Sequence, residues 1–222
     1  VPGALVVHSE LSGRVRLGVL ALGGVLVQAS AEELDREIAT VAESLRARFL
    51  GQPSGAVPGV EAALALYKSL GLDPTKTRPS SEALLRRVLK GDALHKINTL
   101  VDALNLCSLR QQFPYGLYDL DRIEPPILLR LGREEESYEG IRKGEVHVSR
   151  RPVLVDERGP FGNPTSDSGR TQITLETRNA LIVLYAPLST AAREAEGAVR
   201  ETAETLARFC GGLPGELVIV PA

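Results

Sequence analysis

Asn98, Asp102 and Asn105 stand at i, i+4 and i+7 in the stretch H-K-I-N-T-L-V-D-A-L-N-L-C-S-L-R that begins at His95. At about 100° per residue, this spacing gathers two amides and a carboxylate within about 60° of arc on a helix. Polar groups at the edge of a buried face need partners. The stripe therefore either pins a neighbouring turn or orients a small polar ligand. F-P-Y-G follows at residues 113–116, so Pro114 and Gly116 form a candidate turn beside it. A second polar concentration spans residues 163–171, N-P-T-S-D-S-G-R-T, with four hydroxyls, an amide, a carboxylate and Arg170 in one place. It suits a surface hairpin loop, or a set that holds a small ligand or a water. Arg86, Arg87 and Lys90 share the outer side of another helical stretch near Lys76, Arg78 and Lys96. They read as a solvated face or as phosphate contacts.

Other chemistries lack residues to carry them. The chain has no G-x-x-x-x-G-K-[ST], no G-x-G-x-x-G after a strand, no G-x-S-x-G and no H-E-x-x-H. Cys107 and Cys210 lie about a hundred residues apart in neither a C-x-x-C pair nor histidine-ligand spacing, and His8, His95 and His147 are scattered. Neither a disulfide framework nor a metal site is expected, and no cofactor. A net charge of −2 opposes nucleic-acid binding by bulk electrostatics, so any such contact must be local. Aromatics at 4% are too few for an extended base-stacking platform.

The elements that must position these groups follow from the apolar pattern. In the central stretch Ile97, Leu100, Val101, Leu104 and Ser108 fall on one face of a helix. Before it, residues 4–8, 15–22 and 25–28 read as strands, with the Gly23-Gly24 pair suggesting a hairpin. A helix behind Ser30 carries Leu34, Ile38, Val41 and Leu45, a second covers residues 60–70, and Ser80 caps a third. After the central helix, residues 127–131, 145–149, 153–156 and 180–185 read as strands, residues 189–209 as a last amphipathic helix and 217–220 as a final strand. Helices cluster early and strands late, which favours an α+β fold. At 222 residues with 43% hydrophobic content, the chain can bury a full core. No run reaches the ~18 apolar residues of a membrane span, and the first ten residues carry no signal pattern, so no membrane partner and a cytoplasmic location are expected.

The segments I-N-T-L-V-D-A-L-N (97–105), the Pro114 and Gly116 turn, and Y-D-L-D-R-I (118–123) together resemble the tRNA-editing module, the third and fourth domains, of the bacterial phenylalanyl-tRNA synthetase β subunit. The family pattern is I-N-x-V-V-D-x-x-N followed by Q-P-L-H-A-F-D-L-D-K. Gly116 stands where the family has its histidine, and residues 163–171 stand where it has M-G-G-E. The resemblance covers about half of the chain. It implies an α+β fold of three layers, β/β/α, with mixed and antiparallel sheets, and a pocket where a water cleaves a wrongly attached amino acid from tRNA.

On that basis residues 1–222 are one editing-module-like domain, with 1–75 an N-terminal α/β subregion and 76–222 the family-like core. The expected activity is hydrolysis of a mischarged aminoacyl-tRNA ester in trans, with no ligase activity. Asn98, Asp102, Asn105, Pro114, Gly116, Asn163 and Thr165 would bind substrate, the glycine letting backbone approach it closely. Asp167, Ser168 and Thr171 would hold the water or ester oxygens. Arg86, Arg87 and Lys90 would meet RNA phosphates. The alternatives are a non-catalytic module that binds an amino acid, aminoacyl-tRNA or another RNA, and a domain that only binds a protein partner. The oligomeric state is left open.

Overall fold

The structure is a computed structural model that describes residues 5–142 and 144–221. Among the described residues, ten strands and five α-helices run β1 (Leu5–Val7), β2 (Val15–Gly23), α1 (Glu32–Arg48), α2 (Val60–Ser69), α3 (Ser80–Lys90), α4 (Thr99–Gln111), β3 (Tyr115–Asp119), β4 (Ile127–Leu131), β5 (Ser137–Gly140), β6 (Gly144–His147), β7 (Pro152–Asp156), β8 (Gly159–Gly162), β9 (Asn179–Pro187), α5 (Ala192–Cys210) and β10 (Leu213–Val220). One sheet has the order β1-β4-β7-β8, and a second β10-β2-β9-β3. The first is mixed, because β1 runs parallel to β4 while the other pairs are antiparallel. The second is antiparallel throughout. Strands β5 and β6 form a separate hairpin.

The second sheet is covered on both faces. Along β9, Ala180, Ile182, Leu184 and Ala186 pack in the core shared with α4 and α5, whereas Leu181, Val183 and Tyr185 pack in the core shared with the first sheet. Period-2 alternation thus divides one apolar run between two cores. The result is sheet on sheet on helices, the three-layer β/β/α arrangement that the resemblance implies. β1 and β2, from the first 75 residues, pair with β4 and with β9 and β10 respectively.

Several local expectations need correction. Residues 25–28 alternate in burial like a strand but join no ladder. Val25 donates to the Arg178 carbonyl, Leu26 to that of Cys210, and Gln28 to the Thr99 hydroxyl. The Gly23-Gly24 pair therefore ends β2 and opens no hairpin. Ala31, not Ser30, occupies the cap position of α1, and acidic Glu32, Glu33 and Asp35 in the first turn supply favourable charge there. Ser80 is the first residue of α3, behind Pro79 in the cap position. Helix α4 starts at Thr99, which leaves Ile97 outside it and 51% exposed.

Residues 113–116 do not form a turn. Gln112, at φ 60°, ends α4, and the chain goes directly into β3. Gly116 lies inside that strand. A Cβ there would come 2.3 Å from the Tyr118 hydroxyl oxygen, and a Cβ on Gly162 would come 2.4 Å from the Tyr118 ring. The two glycines, from β3 and β8, leave the space that this fully buried ring fills. Phe161 meets the ring edge-on at 5.0 Å. Gly116→Ala is expected to cost about 1–3 kcal/mol in denaturant unfolding, as overpacking does. Combined with Tyr118→Leu it should cost measurably less than the sum of the two single changes, and strict additivity would show that the ring is not the obstacle.

Candidate functional site

A cleft of about 220 Å³ is lined by Ser80, Asn105, Tyr115, Ile141 and the loop Asn163, Pro164, Thr165, Ser166 and Asp167. These come from the start of α3, the middle of α4, the start of β3, the turn after β5 and the segment after β8. The loop is built as a rigid wall. Asn163 Oδ1 accepts the backbone N–H of Thr165 and of Ser166, both at 2.8 Å, a side-chain substitute for a backbone turn. Tyr67 donates its phenol to the Pro164 carbonyl at 2.7 Å, and Tyr138 donates to the Ser166 carbonyl. Ile141 N–H bonds the Asp167 carbonyl at 3.1 Å.

Asp167 brings the only charged side chain among the residues lining the cleft. Burial raises the phenols of Tyr67, Tyr118, Tyr138 and Tyr185, and the negative charge of Asp167 raises them further. They remain protonated hydroxyls near a carboxylate. Such a site offers hydrogen bonds, one group able to accept a proton, and walls from two sheets and two helices. Among the described residues no group of three or more His, Cys, Asp or Glu side chains is placed to hold a metal ion.

The sequence profile of the B3/4 domain matches residues 62–218. The chain belongs to the B3/4 domain family. Every residue lining the cleft of this B3/4 domain falls within the matched stretch. The fold is similar to that of an N-terminal fragment of the phenylalanyl-tRNA synthetase β subunit from Pyrococcus horikoshii, with a TM-score of 0.51 and 14% identity over 98% of this chain and 54% of that one. The chain thus spans about half the length of that fragment. No curated protein is significantly similar to it in sequence. No helix among the described residues is long and apolar enough to cross a membrane.

Of the residues singled out in the sequence of this B3/4 domain, Asn105, Asn163, Thr165 and Asp167 line the cleft together. Others are occupied elsewhere. Asn98 lies just before α4, in extended backbone rather than on a helical face, and its Oδ1 caps the helix by accepting Val101 N–H at 3.0 Å. Asp102 accepts Ile97 N–H on both oxygens, at 3.2 and 3.3 Å, and lines a different cavity. Ser168 Oγ accepts Thr171 N–H at 3.3 Å, and Thr171 Oγ1 donates to the Phe161 carbonyl at 3.3 Å. At 2% and 0% exposure, both hydroxyls are committed to holding the one-turn helix after the loop and are withdrawn from solvent. Arg170 grips the buried carboxylate of Asp156 with two bonds of 2.9 Å.

Pro114 is buried, and its carbonyl accepts Tyr185 N–H at 3.0 Å, joining β3 to β9. Gly116 lies under Tyr118 and does not open the backbone to a ligand. On α3, Arg86 and Lys90 are exposed, while Arg87 donates to the Ala93 carbonyl at 2.9 Å and secures the helix end. Tyr67, Tyr138, Ser80 and Ile141 were not anticipated. Each sits in an unremarkable local pattern, and only the tertiary fold brings them to the loop.

Burial pushes the Asp102 carboxyl up to about 6; the Ile97 N–H opposes this and the charge of Asp35 adds to it. A carboxyl raised in the folded state holds its proton longer than in the unfolded chain. Its stabilising contribution is therefore complete below the ordinary carboxylate range and is lost as pH rises through about 6. Asp102→Asn should raise the melting temperature by roughly 2–4 °C per kcal/mol recovered. The gain should be larger at about pH 7.5 than at about pH 4, and a pH-independent gain or a loss would contradict the burial argument.

Proposed function

We propose that the cleft receives the amino acid at the acylated end of a tRNA, and that Asp167 orients the water that cleaves the ester. The observation that carries this reading is the meeting of Asn105, the start of β3 and the wall 163–167 around about 220 Å³. That space is below the ~300 Å³ at which pockets for whole drug-sized ligands begin, so it suits an amino-acyl group rather than a nucleotide. Membership of the B3/4 domain family, the fold likeness to a synthetase β-subunit fragment, and the I-N-T-L-V-D-A-L-N and Y-D-L-D-R-I segments support the same substrate class.

In this reading the Asn105 amide, which can both donate and accept, orients the amino acid. Water attacks the ester carbonyl as Asp167 takes its proton, and Asp167 passes that proton to the ribose oxygen as its bond to the carbonyl carbon breaks, giving free amino acid and tRNA. Ser168 and Thr171 shape the wall and do not touch the substrate. Arg86 and Lys90, exposed on the helix whose first residue lines the cleft, meet phosphates of the acceptor end. The chain works as one domain in the cytoplasm, where charged tRNA is made.

A second reading, binding without cleavage, draws on the commitment of both buried hydroxyls to the backbone. The two separate in one experiment. Purified protein incubated with a panel of mischarged tRNAs should release at least one amino acid above background, and Asp167→Asn should slow that release by about 10²–10⁴-fold. Asn105→Ala should weaken substrate binding by about 1–3 kcal/mol, read as a raised KM. Release from no tRNA, with calorimetry still showing binding, would leave only the second reading.

A further inference from the structure

A larger cavity, about 410 Å³, lies between α1, α4 and the segment that joins α3 to α4. Its volume is within the ~300–1,000 Å³ typical of small-molecule sites. Ile38, Ala39 and Ala42 on α1 and Val88 on α3 give it apolar walls, and Asp102 and Asn105 on α4 face the same space. Asp102 is 5% exposed, yet one backbone N–H, shared between its oxygens at 3.2 and 3.3 Å, is the only hydrogen bond it receives among the described residues. Charge-assisted bonds to a carboxylate ordinarily run about 2.7–2.9 Å. Lys96, the cation whose charge acts on Asp102, is bonded to Asp35 instead, and Arg46 lines the cavity from α1. Asn105, which lines both cavities, makes no side-chain hydrogen bond among the described residues. A buried carboxylate with so little compensation is costly to hold.

We propose that this cavity binds a small primary amine on an apolar body, with the ammonium on Asp102 and Asn105 and the body against Ile38, Ala42 and Val88. An ammonium has three donors. Two carboxylate oxygens and one amide oxygen match them. The apolar walls reject a freely hydrated cation and accept a ring or alkyl chain. The site does not depend on the ester-cleaving reading, and Asp102 and Ala39 line this cavity and not the cleft.

Calorimetry on the whole chain with phenethylamine, and with phenethyl alcohol as the neutral counterpart, tests the site. Saturable one-to-one binding of the amine is expected, at least about tenfold tighter than the alcohol. Asp102→Asn should weaken it at least about tenfold, and Ala39→Trp, placed on the exposed side of α1 at the cavity wall, should abolish it while the melting temperature holds. Affinity should also fall between about pH 7.5 and about pH 5 in the parent chain and not in Asp102→Asn, because the other charged or titratable groups that line the cavity, Asp35 and Arg46 on α1 and Asp92, His95 and Lys96 on the joining segment, are the same in both. Absence of saturable binding, or binding indifferent to both substitutions, would overturn the proposal.

Discussion

The ring of Tyr118 is held between two strands that carry no side chain where it lies. Gly116 of β3 and Gly162 of β8 come from different sheets, and a single methyl on either would run into the ring. Close packing of this kind leaves little freedom to slide one layer over the other. Because β8 leads directly into residues 163–168, the contact also sets where that loop leaves the sheet. Tyr67 from α2 and Tyr138 from β5 then fix its carbonyls, so three aromatic side chains from three elements decide the position of one short polar segment. The cleft is a consequence of sheet packing, and its wall is as rigid as the core behind it.

Much of this architecture was legible in the chain. The residues of β9 read as apolar, and the structure buries both of their faces. The stripe Ala192, Ala195, Val199, Ala203 and Leu206 marked a helix packed on one side; the last four are buried in α5, and Ala192, its first residue, is half-buried. What local pattern could not carry was the assignment of each polar side chain to a partner. Asn98 looked like the first member of a helical seam, but the helix begins one residue later and uses it as a cap. Thr171 looked like a free hydroxyl because its acceptor, the Phe161 carbonyl, is reached only after the chain folds back, and Ser168 looked free because its partner, the Thr171 N–H, is presented only once the one-turn helix forms. β3 was hidden because Pro114 and Gly116 signal a turn locally, while pairing with β9 and the demands of Tyr118 override them.

Asn105 is the residue that the two cavities share. It is half-buried in the middle of α4 and borders both cavities, the smaller facing Asp167 and the larger facing Asp102. Two acidic groups thus lie off the same helix in different surroundings. Asp102 is raised by burial among apolar walls, while Asp167 sits in a wall of carbonyls and phenols. Carboxylates in contrasting environments are how a single fold separates chemical roles. In the function we propose, it is the smaller of the two spaces that takes the amino-acyl group.

The most direct measurement is the structure of this chain bound to an adenosine whose amino acid is joined through an amide in place of the ester, so that it cannot be cleaved. The amino-acyl group is expected between the Asn105 amide and residues 165–167, with the Asp167 carboxylate beside the carbonyl carbon and the loop unmoved. An analogue seated elsewhere on the surface, or one that displaces the loop from β3 in order to enter, would contradict it.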